Sequence, residues 1–260
     1  MHDNLATASI TNNLETRFIG QRVFYYPQLT STMDIAKQKA QHGAAEGTVV
    51  IAGEQTAGKG RVRRIWLSPK GSIALSIILY PDVLYLPYLV MLASLAVVHS
   101  IKAVTDLEPQ IKWPNDILID GRKICGILIE SGIRRNTVVY VIIGIGINVN
   151  FRLSDFPEIM PAATSLASEL DKAVSRVDLI RCLLAEIERL YLVLPDGESI
   201  YQEWQDRLVT LGRNVRVESG TSILTGTAEA VARDGSLLLR HSNGNTTKIV
   251  AGDVTLRDYG

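Results

Sequence analysis

Residues 53–71, GEQTAGKGRVRRIWLSPKG, bring glycines, a burst of positive charge and a tryptophan into one short span. Lys59, Arg61, Arg63 and Arg64 fall within six positions, and such a run is ordinarily a solvated loop or a weak nucleic-acid patch. Gly58 and Gly60 flank Lys59, which opens backbone conformations closed to other residues and lets N–H groups approach an anion. The chemistry this favours is the holding of a ligand phosphate. Gly53, four residues, Gly58 and Lys59 reproduce the start of a P-loop, but Gly60 stands where a Ser or Thr should hold magnesium. The Arg-rich run followed by Trp66 and Pro69 also makes a poor helix start. A P-loop nucleotidase is therefore a minor alternative.

Two further stretches carry chemistry-bearing residues. In IKWPNDILIDGRKICGILIE, residues 111–130, Lys112 and Trp113 precede a Pro114-Asn115-Asp116 break, and Asp120-Gly121 is a strong hairpin turn. Lys112 and Lys123 read equally as outward positions on an edge strand. Lys123 stands three residues before Gly126, a residue type that marks close approach of backbone or ligand within a strand. In TVVYVIIGIGINV, residues 137–149, a β-branched run is expected to be a buried central strand that Gly144 and Gly146 weaken. Those glycines make space, for a ligand or equally for a crossing helix. Asn148 puts a polar group at the strand end, where open sheets collect ligands.

These stretches need a scaffold, and 260 residues suffice for one large domain, or one of roughly 200 residues with a small appendage. Lys plus Arg and Asp plus Glu both number 27, which argues against broad nucleic-acid binding and leaves the local basic cluster in need of a small anion. Cys125 and Cys182, far apart in apolar surroundings, read as free thiols of a reduced intracellular protein. His2, His42, His99 and His241 are scattered, so no protein-only metal site is expected. The apolar run at 89–98 is about half a membrane span and nothing near Met1 has signal-peptide order, so a cytoplasmic soluble protein is expected.

In chain order, residues 1–20 are read as a short arm or helix. A strand at 22–26 leads to a Ser/Thr cluster, Thr30-Ser31-Thr32, which propensity alone reads as the cap of a helix ending at His42-Gly43. Strands at 49–52 and 73–80 pin the basic loop between them. A helix at 85–105 packs on the sheet, and helices follow at 165–169, 178–194, capped by Asp178, and 199–208. From 213 to 256, turns at 218–220, 234–235 and 243–244 separate four or five short strands of a small β barrel.

The ordered blocks Ser31-Thr32, Gln55-Thr56-Ala57-Gly58-Lys59-Gly60-Arg61 with Trp66 and Ser68-Pro69-x-Gly71, Lys112-Trp113-Pro114-Asn115-Asp116 with Lys123 and Gly126, and Gly144-x-Gly146-Ile147-Asn148 resemble the biotin protein ligase family. The resemblance runs from about Val23 to the C-terminus. It implies an α+β fold: a mixed β-sheet catalytic domain of class II aminoacyl-tRNA synthetase type, residues 21–211, with an SH3-like β-barrel at 212–260. It also implies an ATP-dependent, AMP-forming biotin-[acetyl-CoA-carboxylase] ligase. Biotin and MgATP would give biotinyl-5'-AMP, and a lysine of a biotin carboxyl carrier protein would then take the biotin. Bifunctional members carry an N-terminal DNA-binding domain for which this chain has no room, so the ligase-only form is expected, with no membrane association and a homodimer among the open options.

Carried over on the matching positions, Ser31, Thr32, Met33, Gln55, Gly58, Lys59, Gly60, Arg61, Lys123, Gly126, Gly144, Gly146 and Ile147 would surround biotin. Lys59, Arg61, Arg64, Trp66, Lys112, Asn115, Asp116, Lys123 and Asn148 would surround ATP, whose phosphates bring Mg2+. Lys123 would be the catalytic cation, joined by Arg61, because a compact ammonium can follow charge from carboxylate to phosphate. Asp116 would take the proton of the incoming lysine. The chain departs from the family pattern at Lys59, Arg63 and Met33, where Arg, Gly and Asn are common. The rival readings are a lipoate or other acyl-protein ligase of related fold, and a non-catalytic RNA- or protein-binding module.

Overall fold

The computed structural model describes residues 5–159, 162–220 and 222–256. Its first elements are α1 (Thr7–Thr11), β1 (Val23–Tyr26), α2 (Thr32–Gln41), β2 (Val49–Ala52), β3 (Ile73–Leu79) and α3 (Tyr88–Thr105). They continue with β4 (Gln110–Lys112), β5 (Asp116–Ile119), β6 (Arg122–Arg134), β7 (Thr137–Ile147), α4 (Leu166–Leu170), α5 (Arg176–Leu192) and α6 (Gly197–Asp206). The C-terminal strands are β8 (Asn214–Ser219), β9 (Ser222–Val231), β10 (Leu237–Arg240), β11 (Thr246–Ile249) and β12 (Asp253–Leu256).

The apolar strands form a seven-stranded sheet in the order β1-β2-β3-β7-β6-β5-β4. Only β1 and β2 run parallel; every other ladder is antiparallel. Strand alternation sorts the side chains into two faces. Ile73, Leu75, Ile77 and Leu79 of β3 and Val141, Ile143, Ile145 and Ile147 of β7 enter the large core with α3, α5 and α6. The opposite face carries Ile78 and Ile142 beneath Met33, Ala36 and Ala40 of α2. On that same face the register sets Ala74, Gly146 and Gly126 in one row across β3, β7 and β6, and Ser76, Gly144 and Leu128 in the next. Small residues therefore leave a trough beside the end of α2.

One irregularity decides which way Lys123 points. Residues three apart in an unbroken strand face opposite sides, yet the β5–β6 ladder slips between Ile117 and Leu118, so that Asp116 lies opposite Gly126 and Leu118 opposite Lys123. Ile124 and Cys125 both enter the core on the far side. This bulge returns Lys123 to the face of Gly126.

Several local expectations shift. Residues 5–20 hold the short helix α1 and are anchored: Leu5, Ile10 and Ile19 belong to the core, and the buried Glu188 carboxylate accepts the N–H groups of Arg17, Phe18 and Ile19 at 2.6–2.9 Å. Helix α5 is capped by Ser175, which accepts from the Asp178 N–H, so Asp178 is a first-turn residue and not the cap. Helix α3 is 18 residues long and apolar enough to cross a membrane by length and composition, but 61% of it is buried in the protein, so it is a core helix. The expected turns all hold: Asp120 and Gly121 take φ 48° and 76°, and Gly220, Gly235 and Gly244 are left-handed. Strands β8–β12 form a second, antiparallel sheet ordered β11-β10-β9-β8-β12. It is docked on the first by Trp113, whose Nε1–H donates to the Gly235 carbonyl at 2.8 Å, and on α6 by Tyr201, whose hydroxyl donates to Val231 O at 2.7 Å.

Candidate active site

The basic stretch is a hairpin-like flap rather than a phosphate nest. Gln55 pairs with Ser68 and Lys59 with Ile65, while Trp66 N–H donates to Gly58 O and Gly60 N–H to Arg64 O. Gly60 is extended (φ −110°), and the left-handed residue at the tip is Val62, φ 52°, an unusual place for a β-branched side chain. The glycine at 58 is needed for closeness: a Cβ there would run into the Trp66 carbonyl oxygen. The side chain of Arg63 lies outside the described structure.

The flap closes over the trough. The resulting cavity is lined by Ser31, Thr32, Met33, Gln55, Lys59, Gly60, Arg61, Arg64, Trp66, Asn115, Asp116, Lys123, Gly126, Gly144 and Gly146 among the expected residues. Four expected residues lie outside that lining. Ile147 is fully buried on the opposite face of β7, in the main core, a correction that strand alternation requires. Gly58 shapes the flap from outside the lining, and Lys112, half-buried on β4, also stays out of it. Asn148 lines a second cavity of about 270 Å³ with Ile65, Trp66, Leu67, Lys123, Ile159, Ala162 and Ala163.

Trp66 is the wall between the two cavities. Its indole lies on the sheet, so that a Cβ on Gly126 would sit 3.0 Å from ring Cζ3 and one on Gly146 would overlap the pyrrole edge. The space above Gly144 is taken by the Met33 thioether. The glycines thus make room for side chains of this chain. Lys123 Nζ stands 5.2 Å from the Trp66 ring centroid and 2.6 Å from Asp116 Oδ1, at the junction of both cavities.

At the inner end, Thr32 does not cap α2. Its N–H and hydroxyl both donate to Gln55 Oε1 (2.8 and 3.1 Å), and Ser76 Oγ donates to Thr32 Oγ1 at 2.8 Å. With the amide oxygen so occupied, the Gln55 NH2 is the group left to offer. Ser31 makes no cap bond either, and its buried hydroxyl lacks a protein partner. A buried polar atom without a partner is costly unless a ligand satisfies it.

The outer end is cationic. Arg61 Nη1 donates to Asn115 Oδ1 at 3.0 Å and Gly252 O at 3.2 Å. Burial lowers the Arg61 pKa, and the nearby Asp253 and Asp116 carboxylates act against that shift. Burial also lowers the Lys112 ammonium, opposed by Asp116 and reinforced by Lys123. Lys59 pairs with Asp34 of α2, a partner that sequence reading did not supply. Asn148 is itself a strap: its Nδ2 donates to Thr164 O at 2.9 Å and contacts Lys123 O at 3.5 Å, while the segment at Ala163 pairs with Lys123. Asp253 was also missed, because nothing in its neighbourhood of the sequence points at the flap, whose Arg61 lies 191 residues before the adjoining Gly252.

Residues 25–148 match the model of the biotin/lipoate A/B protein ligase family, and residues 210–257 match that of the biotin protein ligase C-terminal domain. The bifunctional ligase/repressor BirA of Bacillus subtilis is 37% identical over 258 residues, 97% of this chain and 79% of the relative. The biotin-[acetyl-CoA-carboxylase] ligase of Mycobacterium tuberculosis is 34% identical over 238 residues, 86% and 85% of the two chains. The Aquifex aeolicus biotin protein ligase, solved in complex with biotin and ATP, superposes with a TM-score of 0.78 at 26% identity, covering 91% of this chain and 99% of that one. The paired cavities, the lysine at their junction and these likenesses lead to one conclusion: the chain belongs to the biotin protein ligase family.

Proposed function

We propose that this protein activates biotin with ATP and passes it to a lysine of a biotin carboxyl carrier protein or domain, as a biotin-[acetyl-CoA-carboxylase] ligase of the cytoplasm. The observation that carries the reading is Lys123 at the junction of two cavities that share Trp66. Biotin takes the inner cavity, its ureido group meeting the unpartnered Ser31 hydroxyl and the free Gln55 NH2, with Thr32 holding Gln55 in place. The adenosine of ATP takes the outer cavity against Trp66 and Asn148, and magnesium travels with the phosphates.

Joined at the wall, the biotin carboxylate oxygen attacks the α-phosphorus, the α–β anhydride bond breaks, and pyrophosphate leaves. Lys123, with Arg61 and Arg64 beside it, stabilises the charge that gathers on both anions, a preorganised field in a site closed by the flap. The carrier lysine then attacks the acyl carbon, AMP departs, and Asp116 accepts the amine proton. Residues 21–211 act as the catalytic unit and 212–260 as an SH3-like barrel.

The test is incubation with ATP, biotin and a carrier domain. Pyrophosphate release that requires biotin, followed by a biotin mass increment on the carrier lysine, is the expected result. Activation of lipoate in place of biotin would overturn the reading in favour of a lipoate ligase, and the absence of any pyrophosphate in favour of a binding module.

A further inference from the structure

Among the described residues, the C-terminal sheet enters the active site at one side chain. Asp253, the first residue of β12, lines the inner cavity among residues of the flap and the central sheet. Its two carboxylate oxygens serve two guanidinium groups: Oδ2 is 2.8 Å from Arg64 Nη2 and Oδ1 is 3.7 Å from Arg61 Nη1. The preceding carbonyl, that of Gly252, accepts from Arg61 at 3.2 Å. Arg64 lies close enough to Arg61 to disfavour the charge on the Arg61 guanidinium. Without an anion between them, two like charges on a short flap would swing apart into water. The anion is firmly mounted, since the sheet that carries it is bolted to the central sheet through Trp113 and to α6 through Tyr201.

We propose that Asp253 is a positioning residue for the ligation reaction. It holds Arg61 and Arg64 over the cavity before substrate arrives, so that the C-terminal sheet sets the geometry of the adenylation site. The proposal rests on the ligase reading for its kinetic consequence, but not for the contact itself. When biotin carboxylate and the α-phosphate enter, they meet guanidinium groups already gathered, and Asp253 keeps the flap from opening while the adenylate is present. A second negative charge at that place also marks where a phosphate oxygen is excluded, directing the triphosphate toward the Lys123 side.

Two measurements on the full chain test this. Limited trypsin digestion of the ligand-free protein reads the flap directly, because cleavage after Arg61 or Arg64 needs those side chains released. Asp253→Asn is expected to raise cleavage there about tenfold, the loss of a charge-assisted contact, while Asp253→Glu restores protection. Arg64→Gln should likewise expose Arg61, which keeps the test valid should Asp253→Asn fold poorly. In steady-state assays, Asp253→Asn should raise KM for biotin and for ATP by roughly tenfold with kcat little changed. In an Arg61→Ala/Arg64→Ala background the same change should have no further effect. Unchanged protection of the flap overturns the proposal even if the protein proves not to be a biotin ligase. So does a kinetic penalty that persists undiminished without the two arginines. Loss of biotin-dependent pyrophosphate release in the wild type would remove the ligase reading and leave the digestion result standing.

Discussion

Gly146→Ala isolates the wall between the cavities. The added methyl would sit 2.5 Å from Trp66 Cε2 and closer still to Nε1, where ordinary contact begins at 3.4 Å. The indole is rigid and the Trp66 backbone is tied down, its main-chain N–H donating to Gly58 O at 2.9 Å, so the ring must tilt off the sheet by about 1 Å, and close packing offers no slack. Trp66 then intrudes on the line between the two reacting anions. A displacement of about 1 Å in a positioned group costs on the order of 100-fold in rate, or about 2.7 kcal/mol of transition-state stabilisation. The companion Gly144→Ala meets the Met33 thioether, the end of a flexible chain that can move aside, and should cost less than tenfold. Biotin-dependent pyrophosphate release gives kcat/KM, and thermal unfolding shows that the sheet is intact. Equal effects of the two alanines, or near-wild-type kcat/KM for Gly146→Ala in a folded protein, would refute the assignment of Gly146 as the seat of Trp66.

Other outcomes follow from the same contacts. Lys123→Ala should abolish adenylate formation with the melting temperature little changed, since among the described residues its ammonium pairs with Asp116 and lies over the Trp66 face; near-normal pyrophosphate release would assign it a structural part. Asp116→Asn should retain pyrophosphate release and lose transfer to the carrier by roughly 100-fold or more, so equal loss of both steps would count against its role as the base. Lys59→Arg should retain adenylate better if the planar guanidinium grips Asp34 in two places, read as slower release of free biotinyl-adenylate. Burial would raise the Glu188 carboxyl, but the N–H groups of Ile19, Phe18 and Arg17 outweigh it and hold the group below its ordinary value. Its contribution is therefore complete above the unfolded glutamate pKa near ~4.3 and vanishes as pH falls through the lower folded value. Glu188→Gln should cost about 2 kcal/mol at pH 7 and progressively less below pH ~4, as followed by denaturant unfolding.

The central strands and the turn chemistry were legible because continuous β-branched apolar runs and Asp-Gly and Asn-Gly pairs, each with a left-handed glycine, report local physics. The four blocks named most of the cavity lining through their resemblance to the family, while Gly126, Gly144, Gly146 and Lys123 on their own stood out only as unusual in strands. What could not be read was how strands line up. Ser76 looks like any polar residue in a buried strand until the β3–β7 register sets it opposite Gly144. Ile147 was placed in the site by its neighbours in the motif, and alternation turns it away. Gly58 and Gly60 suggested a nest, but cross-flap pairing used their smallness instead of their φ freedom. Asp253 and Asp34 are set against the flap by tertiary folding alone.

The slip in the β5–β6 ladder has a consequence for how such a site can change. Strand phase has only two values, so the reach of Lys123 toward the reacting anions is a parity rather than a distance. Substitutions around Ile124 can loosen or tighten the core without altering which side the lysine serves. Removing a single residue at the bulge would keep every strand and every hydrophobic run, yet post the ammonium to the helical side. Gain or loss of this chemistry along a lineage can therefore turn on one codon while the architecture stays the same.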